Sequence, residues 1–494
     1  MVLIMVDIVL VKANNQKKIF QALSHVLSGI EPPLWLILNA AYLRDKGYSV
    51  AVVDAEAENL DFIETVSRVA GYKPKLISVV VCGTNPSAST VNMPGAGQFL
   101  ELFKKTEPQI PTAICGLHPS ALPERTAREE KVDFVIVGEG YYTHAELLEA
   151  VKAGVSREEY RKIKGLCYKI DDQVILTERQ ENVKDLGTLP MPAWDLLPMA
   201  KYRAHNWHCF SHIGERRPYA VLYTSLGCPF HCDFCCINSI FGGPGIRYRP
   251  TDKVIEEIDY LVKNHDVKNI KVLDELFAMN WPHVEAICDQ LILRNYDLNI
   301  WVYGRIDTVK DYMLAKMKKA GINWIAYGME AGSAKVRAGV TKGRFDNDMI
   351  KSVVDMTHNA GIEVVSNFIF GLPDDDLSTM QETLTLAKEL NCAYANFYCA
   401  MAYPGSKLYD EAVQKKWPLP STWLGYAQFS EDTFPLPTKY LSSGQVLRFR
   451  DDAFDDYYSD PRYLARMEKL FGPLAVEHIK EMGAIRLRRK YYNS

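Results

Sequence analysis

Three cysteines with close spacing dominate the chemistry available to this chain: Cys228, Cys232 and Cys235, in the run Gly227-Cys228-Pro229-Phe230-His231-Cys232-Asp233-Phe234-Cys235. Gaps of three and then two residues let one loop wrap three thiolates around a cluster, and on a four-iron cluster three protein ligands leave one iron open. An amino acid chelating that iron through its amine and carboxylate would bring a sulfonium within electron-transfer reach. A zinc site lacking a ligand and three buried cysteines sharing a loop are the alternatives. Zinc usually draws on two short pairs of ligands, and no second Cys or His pair stands nearby at such spacing. Cys236 points away from the cluster if Cys235 points in.

The elements that must position this loop follow from the apolar patterning. A strand over Ala220–Ser225 runs directly into it. Further strands are expected at Asn269–Leu273, Asn299–Tyr303, Ile322–Tyr327, Glu363–Ile369 and Ala393–Cys399, with amphipathic helices between them. Six strands alternating with helices fit an incomplete (β/α)6 barrel of the TIM type, open on one side. Residues 1–153 show the same alternation, with strands at Ile4–Val11, Ser49–Asp54, Leu76–Cys82, Thr112–Cys115 and Phe134–Val137, which predicts a Rossmann-like parallel sheet. Ligands bind beyond the carboxyl ends of such strands. Those ends carry Gly83-Thr84-Asn85-Pro86-Ser87, Gly116-Leu117-His118-Pro119 and Gly138-Glu139-Gly140. Residues 154–217 hold a short strand pair and a proline-rich stretch and read as an ordered linker. The barrel spans 218–406, and 407–494 is mostly helical. Its aromatics and prolines either line the substrate cavity or merely pack.

Composition narrows the function classes. The 494 residues carry a net charge of -4, without the basic footprint of a nucleic-acid partner. The short basic run Arg486, Arg488, Arg489, Lys490 reads as a solvated helix face. No apolar stretch approaches the roughly 18 residues needed to cross a bilayer, and the N-terminus lacks the pattern of a secretory signal, so a cytoplasmic location is expected. Eleven cysteines and no export signal make disulfides a poor expectation.

C-x3-C-x2-C after the first barrel strand resembles the signature of the radical S-adenosylmethionine (SAM) superfamily, with Phe234 before the third cysteine matching its aromatic. The resemblance covers about 219–406. It implies a [4Fe-4S] cluster held by Cys228, Cys232 and Cys235. It also implies SAM contacts at Asp274 and Glu275, where the family holds the amine of the bound amino acid, and at Arg305. Glu330 and Ser333, in Gly328-Met329-Glu330-Ala331-Gly332-Ser333, match the segment close to ribose and carboxylate. A solvated acidic pair at 274–275 and a structural salt bridge at Arg305 are the plainer readings.

Pro32-Pro33-Leu34, Gly116-Leu117-His118-Pro119-Ser120 and Val137-Gly138-Glu139-Gly140 resemble the cobalamin-binding domain that precedes the barrel in one large subgroup. This implies cobalamin contacts at Thr84, Asn85, Ser87, Gly116, His118, Gly138 and Glu139. The D-x-H-x-x-G motif that supplies a lower histidine in other cobalamin domains has no counterpart in 1–153; His118 is not its equivalent by position and is read as shaping its loop. The resemblance implies a cobalamin-dependent radical methylase. One SAM methylates reduced cobalamin, a second yields a 5′-deoxyadenosyl radical, and the substrate radical collects the methyl group. Oxidative cyclisation, as in the anaerobic magnesium-protoporphyrin monomethyl ester cyclase, is the alternative. The implied partners are a small-molecule substrate and a reductase, flavodoxin or ferredoxin as electron donor, with no nucleic acid and no membrane. Tyr303, Tyr327 and Tyr398, near barrel-strand ends, are candidates for proton transfer.

Overall fold

The computed structural model describes residues 5–26, 28–83, 89–343 and 345–493. The first sheet has seven strands: β1 (Ile8–Lys12), β2 (Val50–Asp54), β3 (Leu76–Val81), β4 (Thr112–Gly116), β5 (Phe134–Ile136), β6 (Leu166–Ile170) and β7 (Gln173–Leu176). Their order is β2-β1-β3-β4-β5-β6-β7. β1 to β5 pair in parallel, whereas β6 and β7 add as an antiparallel hairpin at the β5 edge. The strand pair expected within 154–217 is therefore a continuation of this sheet. β1, β3 and β4 are buried along their whole length, as continuous apolar runs covered on both faces must be.

The barrel comprises β8 (Tyr219–Leu222), β11 (Asn269–Val272), β12 (Asn299–Gly304), β13 (Ile322–Glu330), β14 (Glu363–Phe370) and β15 (Tyr394–Cys399), all parallel, in the order β15-β14-β13-β12-β11-β8. Six parallel strands with intervening helices match the expected partial barrel. The cysteine loop lies between β9 (Ser225–Leu226) and β10 (Arg247–Tyr248), which pair antiparallel and brace its two ends.

The C-terminal region closes the open side through side chains. β15 is an edge strand, and an uncovered edge exposes unpaired N–H and C=O groups. Every second residue along it is capped. Tyr463 Oη donates to Ala393 O (3.0 Å), Tyr458 Oη donates to Ala395 O (2.8 Å) and accepts from Ala395 N–H (3.1 Å), and Arg450 Nε donates to Phe397 O (2.7 Å). Gln428 clamps Cys399 at both N–H (2.8 Å) and C=O (2.9 Å). These caps come from the helices Ser443–Tyr458 and Pro461–Phe471 and the coil before them. Beyond the final helix, Pro473–Ala484, the chain is not helical, so the basic run is not a helix face. Arg489 folds inward to Asp451 with its side chain fully buried (0% exposed), because Asp451 and the acceptors around it offer more than water does.

Candidate active site

Cys228, Cys232 and Cys235 line one cavity of about 560 Å³ at the carboxyl end of the barrel, with Phe234 beside them. Gly245 N–H to Cys228 O and Cys235 N–H to Cys232 O fold the loop back on itself (both 3.0 Å). Burial raises the Cys228 thiol and pushes that of Cys235 up to about 12, so thiolates here require positive charge. Part of it comes from Arg305, whose Nη1 lies 3.7 Å from Cys232 Sγ and whose guanidinium stacks 3.9 Å above the Phe230 ring. Among the described residues no three ligating side chains converge as they would around a single metal ion. Three thiols on one loop, with one iron left for a non-protein ligand, are the donor set a four-iron cluster takes.

The other residues expected to hold SAM divide. Glu275, Arg305 and Glu330 line the same cavity. Glu330 has a left-handed backbone (φ 65°) at a register break in β13, a conformation held at functional positions against its cost. Its carboxylate pairs with Lys342 Nζ at 2.6 Å. Glu275 accepts from Gly227 N–H (3.0 Å), next to the first cysteine, and burial raises its carboxyl to about 8. Asp274 does not reach the cavity. It is 1% exposed and spends its oxygens on Thr224 N–H, Thr224 Oγ1 and Ser225 Oγ (2.5–2.6 Å), which ties the entry to the cluster loop onto the barrel. Ser333 starts the short helix Ala334–Gly339 outside the cavity lining.

A second cleft of about 90 Å³ lies between the carboxyl ends of the first sheet and the barrel, lined by Gly116, Gly83, Trp35 and Glu31 among others. It shares Ile19, Phe20, Val91, Ile237 and Glu275 with the larger cavity. Gly116 is required by its geometry: φ is 127°, and a Cβ there would stand 2.3 Å from Val81 O. The indole N–H of Trp35, a buried donor, has no hydrogen-bond partner among the described residues. A backbone-lined cleft with an unspent donor suits a macrocyclic ligand carrying polar edges, so the residues present fit cobalamin. Alone the cleft is too small for a corrin, which must also use the adjoining space.

Thr84, Asn85 and Ser87 lie outside the described residues. His118, Gly138 and Glu139 do not line the cleft. His118 is 1% exposed; its Nδ1 pairs with Thr90 Oγ1 (3.0 Å), its N–H donates to Ser89 Oγ (2.8 Å), and Trp423 packs edge-on against its ring (4.5 Å). Burial drives its imidazole down to about 3, so it is neutral; the expected loop is instead the short helix Leu117–Ala121, which His118 fastens to Ser89 and Thr90. Gly138 N–H donates to Ser120 Oγ (2.9 Å). Glu139 reaches Arg247 on β10 (2.6 Å) and Val183 N–H (2.7 Å), clamping the first domain to the brace of the cluster loop. Of the tyrosines, Tyr303 and Tyr398 line the cavity, whereas Tyr327 turns its hydroxyl away to Thr357 (3.0 Å).

Two lysines escaped the sequence reading. Lys342 had no local pattern to mark it. Lys271 did: a charged residue inside the apolar run of a buried strand must face a lumen. Its Nζ meets Glu31 Oε1 at 2.7 Å and lies 4.8 Å above the Trp301 ring. Glu31 lines the cleft and Lys271 the cavity, so this ion pair forms part of the wall between them.

Comparison with known proteins agrees with this arrangement. The Radical SAM superfamily model matches residues 222–387, and the B12 binding domain model matches 21–148. The chain is a radical SAM enzyme with a B12-binding domain. Its cofactors are accordingly a [4Fe-4S] cluster, SAM and cobalamin. It is 27% identical over 446 residues to an uncharacterized methyltransferase of Pyrococcus horikoshii, covering 90% of this chain and 92% of the relative. It is 26% identical to the anaerobic magnesium-protoporphyrin IX monomethyl ester cyclase of Rubrivivax gelatinosus, covering 79% of this chain and 68% of the relative. In fold it resembles the radical SAM methyltransferase TsrM from Kitasatospora setae, solved with tryptophan substrate and a SAM analogue (TM-score 0.70, 16% identity, 99% and 97% of the two chains). Among the described residues no helix is long and apolar enough to cross a membrane.

Proposed function

We propose that this enzyme transfers a methyl group to an unactivated carbon of a small molecule held in the barrel cavity. The observation that carries the reading is the continuity of the two cavities, whose linings share Ile19, Phe20, Val91, Ile237 and Glu275. A substrate in the barrel is thereby open to both cofactor sites. When bound, the cluster and SAM supply a hydrogen-abstracting radical, and cobalamin supplies the methyl carrier.

The chain's own residues position and shield. Cys228, Cys232 and Cys235 would hold three irons of the cluster, and Arg305 places a fixed positive charge beside Cys232. Glu275, with its carboxyl raised to about 8, offers hydrogen bonds from the junction of the two cavities without adding full negative charge at neutral pH. Glu330 and Lys342 neutralise each other at the rim and present paired polar groups to a zwitterionic ligand. The capped β15 edge and the C-terminal segment keep water from the lumen side of the barrel. Reduction of the cluster calls for a one-electron donor such as a flavodoxin or ferredoxin.

The test is methyl transfer from S-adenosylmethionine carrying a trideuterated methyl group, using anaerobically reconstituted enzyme, a one-electron reductant and a small-molecule extract. The reading requires a product that carries the intact label. A second reading, oxidative cyclisation, is favoured by the similarity to anaerobic cyclases from Rubrivivax gelatinosus and Cereibacter sphaeroides. It predicts an oxidised, unlabelled product with 5′-deoxyadenosine formed alongside.

A further inference from the structure

Two asparagines face each other across the lumen side of β14 and β15. Asn367 and Asn396 are register partners on these strands, and both line the large cavity. Strand alternation puts Val365 and Ile369 beside one, and Tyr394 and Tyr398 beside the other. A carboxamide pair in such a wall costs free energy unless its hydrogen bonds are made.

The polarity of the pair is set from one end. Tyr327 O is a backbone carbonyl and can only accept, so Asn367 Nδ2 donates to it (3.1 Å). Asn367 Oδ1 then accepts from Asn396 Nδ2 (2.9 Å). This leaves Asn396 Oδ1 as an acceptor, and it has no partner among the described residues. It is absent from the sealed, unpaired atoms of the interior, so it retains access to the cavity. Amide orientation is ambiguous from shape alone, but here the carbonyl decides it.

The surroundings select what could donate. The lysines and arginines that line the cavity have carboxylate partners: Lys271 with Glu31, Arg305 with Asp307, Lys342 with Glu330, Arg450 with Asp451 and Arg486 with Asp455. The carboxamide oxygen of Asn396 is itself uncharged and needs no counter-charge, so the complement assigned to it is a neutral N–H. Asn367 is the register partner of Gly328, where a Cβ would meet Glu330 Oε1 at 2.5 Å and Lys342 Nζ at 2.7 Å, so a side chain there would displace that ion pair. Tyr303 and Tyr398 also line the cavity, and aromatic walls suit a flat ring.

We propose that Asn367 and Asn396 form a substrate-recognition relay, in which Asn396 Oδ1 accepts a hydrogen bond from a neutral N–H on a planar aromatic substrate. The proposal rests on the reading of this cavity as the substrate site. It makes Asn396 specificity-determining and Asn367 the residue that orients it. An unmade hydrogen bond at a site built for one lowers affinity by roughly five- to hundredfold.

Isothermal titration of the reconstituted holoenzyme with indole and with 1-methylindole tests the relay, since the two probes differ at the donor alone. Wild-type enzyme should bind indole at least about fivefold more tightly. Asn396→Leu should bind both equally, and Asn367→Leu should reduce the preference without abolishing it. Asn396→Ala serves as the second variant should leucine prevent cofactor loading. Equal affinity of the two probes for the wild type, binding of neither, or a preference that survives at Asn396→Leu and Asn396→Ala would overturn the proposal. Cluster absorbance, retained cobalamin and the change in cluster electron paramagnetic resonance on adding SAM, measured on the same samples, report on the methyltransferase reading separately.

Discussion

Replacing Lys271 by Met should destabilise the fold by about 3–5 kcal/mol, the range for breaking one side of a buried ion pair. The structure supplies an independent figure. Glu31 is 4% exposed, and its carboxyl is held down to about 2 against burial, chiefly by Lys271, with His205 assisting at 3.6 Å. Against an unfolded value of 4.5, that shift amounts to about 3 kcal/mol. The folded pKa is depressed, so this stability is present above pH 4.5 and is lost as pH falls through about 2. After Lys271→Met, Glu31 keeps the Tyr219 hydroxyl (3.3 Å) and the distant imidazole, neither of which replaces an ammonium at 2.7 Å. Glu31→Gln should cost a comparable amount by leaving a lysine that is 2% exposed without its carboxylate. The double variant should cost clearly less than the sum, with a coupling of about 2 kcal/mol or more. Urea unfolding of the four proteins at pH 7, with m-values compared, measures this cycle. Additive effects below about 1 kcal/mol each would show that the pair does not join the domains energetically.

Three further outcomes follow from single sites. Gly116→Ala should destabilise the first domain and lower cobalamin retention, because its Cβ would enter Val81 O and its φ of 127° disfavours any side chain; unchanged melting temperature would contradict this. Glu130, partly buried, has its carboxyl raised to about 7, so its protonated form is favoured on folding and the stability it permits is lost as pH rises through 7. Glu130→Gln should therefore raise stability at pH 8 by about 1 kcal/mol and change little at pH 4, as read from thermal unfolding at the two pH values. Arg489→Ala leaves Gln428 O, Ser430 O and Thr433 Oγ1 without their donor and removes one partner of Asp451. It should cost about 3 kcal/mol and make the segment after Ala484 an early site of tryptic cleavage, whereas a wild-type cleavage pattern would deny the segment a structural role.

The parts legible in the sequence were those encoded locally. Three cysteines within eight residues announce a ligand loop wherever they occur. The six barrel strands are legible because buried parallel strands are nearly unbroken apolar runs, and their predicted spans differ from the observed ones mainly at the ends. What was not legible depends on chain segments distant in sequence. Asp274 and Glu275 are adjacent, yet alternation sends one onto Thr224 and Ser225 and the other into the cavity, a choice set by where the strand ends. His118, on the short helix Leu117–Ala121, and Glu139 are claimed by Trp423 and Arg247, contributed by the C-terminal region and the barrel. Arg489 looked solvated because its partner Asp451 lies 38 residues earlier and meets it only when the end of the chain folds back.

The central claim is that one chain holds a cluster and cobalamin against a common cavity, and the visible absorption spectrum of anaerobically purified, reconstituted protein with added hydroxocobalamin tests it most directly. The account predicts an iron–sulfur band that disappears in Cys228→Ser, Cys232→Ser and Cys235→Ser, together with about one retained cobalamin per chain that survives those substitutions. A cluster band without retained cobalamin would contradict the account of the first domain, and a protein with neither would contradict the whole.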